Sequence, residues 1–285
     1  MNHNIRRTLS AILERANVTR MPSSLTVAAI ILAWAVGSPL AQASVIYQDN
    51  FQSATNGQSI FASPVNWVSA GVQGGGNFTI DNSTPFGPAL AVDRPNPADF
   101  GVARFPISSP STAPGSGDIV ITAQVYVPNA APIDAWVGLN KSSLGPFNNT
   151  GVYAGCGNTG SNVDLAFDLR GIGGAEHDFT PAESAPLIGE IITAKIVMNV
   201  DTNTVTGTFT DGVNTLTYTL TGGLNFSGFD NVAINETANH TPVMYVGSLQ
   251  VTQGVPEPSS VCLLVVGSVV GGLLYRRLGR EGGAC

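Results

Sequence analysis

EIITAKIVMNVDTNTVTGTFTDGVNTLTYTL, from Glu190 to Leu220, decides the fold class. Apolar and polar residues alternate along it with a period of two. Ile192, Ala194, Ile196, Met198 and Val200 share one side, while Thr193, Lys195 and Asn199 share the other. That period belongs to a strand with one buried face, because successive strand side chains point to opposite faces. Asp201-Thr202-Asn203 then breaks the pattern as a turn. TVTGTFT resumes it, with Val205, Gly207 and Phe209 inward and four threonines outward. Asp211-Gly212 is a hairpin dipeptide, and TLTYTL follows with Leu216, Tyr218 and Leu220 inward. Three antiparallel strands in a meander are therefore expected. The outward threonines form a ladder. It reads as a flat binding face for sugars or crystal surfaces, or more plainly as a solvated face built from a β-branched polar residue.

The same rhythm extends upstream and downstream. In DIVITAQVYVP, Ile119, Ile121, Ala123, Val125 and Val127 oppose Thr122, Gln124 and Tyr126. Shorter strands are expected at 45–49, 78–81, 89–92, 102–105, 135–139, 163–169, 232–235 and 245–252. Gly, Pro, Asn and Ser separate them. No helical periodicity and no repeat of fixed length appears between Ser44 and Gly254. Many short strands with turn clusters between them predict an all-β protein, an antiparallel sandwich or jelly roll whose first and last strands pair. The set of DNFQS…NW, ITAQVYVP, ITAKIVMNVDTNTVTGTFTDG and MYVGSLQVT resembles the concanavalin A-like (laminin G-like) jelly roll of bacterial exported proteins. That resemblance implies a range of activities, namely glycan binding, adhesion and glycoside hydrolysis, and selects none of them.

Both ends of the chain read as targeting segments. Arg6, Arg7, Arg15 and Arg20 precede an apolar run from Leu25 to Val36, and Ala41 and Ala43 follow in an A-x-A arrangement. Basic, apolar and small-residue regions in that order predict a secretory signal peptide over residues 1–43, cut by signal peptidase after Ala43. Residues 44–254 form the exported domain. Residues 255–285 form a tail in which an uncharged run, Val261 to Tyr275, stands between Pro256-Glu257-Pro258 and Arg276-Arg277. Val255 to Tyr275 gives 21 positions, enough for the ~20 that cross a bilayer. The arginines after it hold the tail end inside and the domain outside. Two prolines flanking Glu257 keep that stretch extended.

This order of triplet, apolar helix and basic end at the C-terminus resembles the PEP-CTERM sorting signal of bacterial exported proteins. Five further residues, EGGAC, follow the basic group here. The resemblance implies an exosortase as processing partner, cleavage near Pro256-Glu257-Pro258 and transient anchoring by the helix. The destination is then the cell surface or the medium, in the company of exopolysaccharide and biofilm.

Charge narrows the partners. Residues 44–254 hold five basic side chains against sixteen acidic ones, a net of −11, while the whole chain shows −7 because basic residues gather at its ends. An acidic domain repels phosphate backbones, which excludes nucleic acid. Neutral glycans and Ca2+ are tolerated, although no Ca2+ motif is present and no cofactor is expected. The domain has one cysteine, Cys156, so it has no internal disulfide. A lone cysteine without an activating partner reads as a small buried hydrophobe rather than a nucleophile.

Candidate catalytic groups are few. A glycosidase needs two carboxylates facing one bond, and hydrolases of the jelly-roll class usually carry theirs as E-x-D-x-x-E on one strand. No such pattern occurs here. Asp164 and Asp168 share a strand face but lie ~13 Å apart along it, and they are expected to face solvent or pair with Arg170. Glu176, His177, Asp178 and Glu183 crowd GGAEHDFTPAES, read as a solvated loop or as a metal or sugar site on one. The two mature-domain histidines, His177 and His240, lie too far apart in sequence for a zinc motif. Trp67 and Trp136 could stack on sugars, with core packing the plainer use. No Ser-His-Asp signature or phosphate-binding glycine loop is present. The expected function is therefore a non-catalytic matrix, biofilm or glycan-binding component at the bacterial surface. An exported glycan-active enzyme is the alternative.

Overall fold

A computed structural model describes residues 43–62, 67–69, 77–93, 101–128, 134–144, 151–159, 162–236 and 244–254. The expected signal-peptide residues 1–42, including Ala41, lie outside these. So do His240 and the whole tail 255–285 with Pro256, Glu257, Pro258, Arg276 and Arg277. Ala43 is described and stands exposed just before the first strand. Among the described residues no helix is long and apolar enough to cross a membrane.

Fifteen strands are present among the described residues. They are β1 Ser44–Asp49, β2 Val68–Ser69, β3 Asn77–Thr84, β4 Gly87–Asp93, β5 Gly101–Pro106, β6 Ile119–Tyr126, β7 Ala135–Asn140 and β8 Gly151–Thr159. They continue with β9 Asn162–Asp168, β10 Glu176–Asp178, β11 Ile191–Asn199, β12 Thr204–Thr210, β13 Thr215–Thr221, β14 Asn231–Glu236 and β15 Met244–Gln253. All pairings are antiparallel. The first sheet runs β13-β12-β11-β6-β15-β4-β3, with β1 also on β15; the second runs β10-β9-β8-β7-β14-β5-β2.

The chain is thus an all-β antiparallel sandwich. The meander lies at one end of the first sheet, and β11 and β12 bury the residues expected, including Val205 and Phe209. Gly207 is inward because of a neighbour: a Cβ there would lie 2.6 Å from the Phe167 ring, which is itself stacked on Phe209 at 4.4 Å.

The first and last strands pair, Ser44 opposite Gln253. Between Val246 and Ser248 the register of β15 against β6 shifts, a bulge at Gly247 where a Cβ would meet the Phe86 ring at 2.6 Å. On its other side β15 pairs with β4 through residues 244–246 and with β1 through residues 249–253. A bulge twists and bends its strand, which suits the exchange of partners.

One local expectation needs correction, and two strands lie outside those expected. The stretch GVYAGCGNT, not among the expected strands, is β8. Glu176–Asp178 is not loop but the edge strand β10. The two-residue β2, which follows the core residue Trp67, carries no periodic pattern in sequence.

Candidate functional site

Strand alternation sorts the second sheet into two unlike faces. Ala135, Val137 and Leu139 of β7, Val152, Ala154 and Cys156 of β8, Leu165 and Phe167 of β9, and Val232 and Ile234 of β14 enter the core between the sheets. The alternate residues, Trp136, Tyr153, Ala166 and Ala233, form a second small cluster on the opposite face. Both faces of β7 and β14 are buried at every position.

Register sets out what lies on that opposite face. One row reads Asn235, Trp136, Gly155, Ala166, Asp178; the next reads Arg104, Ala233, Gly138, Tyr153, Asp168, Glu176. Glycine is required at several points. A Cβ on Gly138 or Gly151 would lie 2.9 or 2.4 Å from the Tyr153 ring. Tyr153 receives a hydrogen bond from Asn140 Nδ2 at 2.7 Å, and Trp136 Nε1 donates to Asp134. Gly155 and Ala166, both buried, stand between Trp136 and Asp178 in the first row.

The acidic end combines two groups that are separate in sequence. Asp168 is fully buried and is clamped by Arg170, with Nε donating at 2.8 Å, Nη2 at 2.6 Å and the backbone N–H at 3.0 Å. Nη2 also reaches Glu176 Oε2 at 3.1 Å. Asp168 therefore pairs with Arg170 and does not face solvent. Asp164 does not face solvent either, being 1 % exposed. Glu176 and Asp178 project beside it: Asp178 Oδ1 lies 3.0 Å and Glu176 Oε1 3.7 Å from the point a Gly157 Cβ would occupy. Burial, seconded by Asp178, raises the Asp164 carboxyl above the ordinary carboxylate value. Burial also raises Glu176, opposed by Arg170 and reinforced by Asp168, Asp178 and Asp134.

The remaining candidates have structural roles. His177 points the other way, stacked on Tyr218 at 3.8 Å and edge-on to Phe179. Glu183 closes a capping box with Thr180 on the helical turn Pro181–Ser184. Cys156 is fully buried, donates to the Ala135 carbonyl at 3.8 Å, and burial pushes its thiol up to about 12, which removes it as a nucleophile. Trp67 packs in the core, and Trp136 packs on the far face. Among the described residues no group of three or more His, Cys, Asp or Glu side chains is arranged to hold a metal ion.

Asn235 escaped sequence reading. It is fully buried, and neither its Nδ2 nor its Oδ1 has a hydrogen-bond partner. Leaving a buried amide unpaired costs about 1–3 kcal/mol. Its only sequence signal is a polar residue inside the apolar run VAIN.

No family model matches the sequence, and no curated protein does. Solved structures with similar chains include a protein of unknown function from Shewanella oneidensis MR-1, 13% identical over 83% of this chain and 96% of that one, with a TM-score of 0.47. An endo-1,3-beta-glucanase from Streptomyces sioyaensis is 16% identical over 77% of this chain and 99% of that one, with a TM-score of 0.48. Arcelin-5, a lectin-like defence protein from Phaseolus vulgaris, is 14% identical over 74% of this chain and 100% of that one, with a TM-score of 0.45.

Proposed function

We propose that this is an exported bacterial surface protein that binds an extracellular polysaccharide, without catalysis, on the far face of its second sheet. The observation that carries the reading is Asn235, a buried amide with neither polar atom paired, directly opposite Trp136 in register. A sugar hydroxyl both donates and accepts, so it suits an amide that lacks both partners. Trp136 and Tyr153 beside it are fully buried, so a sugar reaches Asn235 only by displacing what covers that face. The acidic rim disfavours anionic polymers and tolerates neutral ones. Export, the release of a transient membrane anchor by an exosortase, and a place in the exopolysaccharide matrix belong to the same proposal. They rest on Ala41 and Ala43 at one end, and on Pro256-Glu257-Pro258 with Arg276 and Arg277 at the other.

The test is a glycan array on the detergent-solubilised full chain, with and without Ca2+, followed by calorimetry on each hit. Wild type is expected to retain a neutral glycan, and Asn235→Val to bind it at least about tenfold more weakly, a loss of ~1.4 kcal/mol. No retained glycan, or equal binding by the variant, overturns the reading.

One observation favours a second reading, hydrolysis. Asp164, raised by burial and by Asp178, has the character of a general acid. It is the weaker reading, because Arg170 already neutralises Asp168 and holds Glu176. Turnover of a polysaccharide that disappears in Asp164→Asn would establish it in place of the first.

A further inference from the structure

β13 reads Thr215-Leu216-Thr217-Tyr218-Thr219-Leu220-Thr221, a palindrome. It is also the end strand of the first sheet, paired to β12 on one side and to no strand on the other among the described residues. Its threonines on the outer face are exposed, and its Leu and Tyr side chains are half-buried. Tyr218 is held from within by the stacked His177 ring. Edge strands offer unpaired N–H and C=O groups and are normally protected by charge, proline, bulges or shortness.

The other edges have such protection. β10 has three residues, two of them carboxylates, and β2 has two residues. β3 carries Asp81 and a register shift, and β1 is bulged between Val45 and Tyr47. β13 has none: seven residues, no charge, no proline, no glycine, and no register shift against β12.

We infer that β13 is a pairing edge for a second copy of this chain. A two-fold axis through Tyr218 would set the strands antiparallel, with 215 opposite 221, 216 opposite 220 and 217 opposite 219. Because the sequence is a palindrome, each residue then faces its own kind. Threonine meets threonine on the outer face and leucine meets leucine on the inner. The same pairing already exists inside the molecule. β12 and β13 place Thr206 against Thr219 with hydroxyls 3.2 Å apart, and Thr208 against Thr217. An isologous contact of this kind closes on itself as a dimer and unites the two first sheets. No acidic side chain lies on the strand to oppose its symmetry mate, despite the acidity of the domain.

Native mass spectrometry of the detergent-solubilised full chain at tens of micromolar tests this. Wild type is expected at twice the chain mass. Thr217→Lys/Thr219→Lys sets each lysine opposite its symmetry mate's lysine and is expected at the monomer mass. Its circular dichroism is expected to be unchanged, since both side chains are solvent-facing. Mixing it with Thr217→Glu/Thr219→Glu is expected to restore a mixed dimer. A monomeric wild type, a dimer that persists in the lysine variant, or failure of the opposite-charge pair to associate overturns the inference.

Discussion

Asn235 makes opposite demands on stability and binding. Asn235→Val removes an amide that has no partner and inserts a residue suited to a strand, so the fold should gain about 1–3 kcal/mol. Urea unfolding measures that gain, and the same variant should lose its glycan. Stability and binding moving in opposite directions would identify a residue kept for a ligand rather than for packing. Cys156 gives a plainer expectation. With its thiol pushed up to about 12 inside the core, it should resist thiol reagents in the native protein and react only on unfolding. Arg170→Met should be costly, about 3–5 kcal/mol, because it leaves the buried Asp168 carboxylate without its charge partner. Single residues explain why the site was only half legible. Asp164, Asp168, Glu176 and Asp178 were all visible as carboxylates in the sequence. Their convergence was not, because it depends on β10 pairing with β9, and β10 is three residues long. Asn235 carried only the faint signal of a polar residue in the apolar run VAIN.

Strand elements were legible wherever a polar and an apolar face alternated, as in β6, β11 and β12, where burial follows the sequence residue by residue. They were illegible where one face is bare, while β7 and β14, buried on both faces, were expected. β8 is the clear case: apart from Tyr153, its residues facing away from the core are Gly151, Gly155 and Gly157, where a ring, a backbone or a carboxylate comes close, so that face shows little pattern in sequence. Gly207 in β12 poses the same problem on the inner face. Gly207→Ala should destabilise by about 1–3 kcal/mol, since the added carbon meets a Phe167 ring held by Phe209 and Phe179. Denaturant midpoints would read it. The edge of the second sheet also sets the pH response. Asp164 and Glu176 are raised, so the folded state binds their protons more readily than the unfolded chain does. Stability should therefore rise as pH falls from above their folded values to the ordinary carboxylate range, and Asp164→Asn should flatten that rise. Below that range the sign reverses. Hydrogen bonds hold Asp81, Glu183 and Asp211 low, from Ser83, Thr180 and Asn214 respectively, and their contribution is lost as they protonate. Melting temperature against pH should pass through a maximum.

At the scale of the whole molecule, the sorting proposal predicts separable roles for the parts of the tail. Replacing Pro256-Glu257-Pro258 with three alanines keeps the apolar length and the arginines, so membrane insertion should persist while release stops. Fractionation of the native host with mass spectrometry of tail peptides distinguishes a trapped full-length form from normal release. Wild type that keeps its tail in every fraction would refute transient anchoring. The pairing of β15 bears on the order of events. It is the last described strand, and among the described residues it alone joins the β13-β12-β11-β6 group to β4-β3 and to β1. A chain delivered amino end first therefore holds most of its length outside with the first sheet still in separate pieces. Contacts this distant in sequence form late. Closure waits for residues 244–253, which emerge just before the Pro-Glu-Pro triplet. Under the export reading, the arrival of the processing signal and the locking of the domain nearly coincide, so topology acts as a timer that keeps the chain threadable until its end is in place.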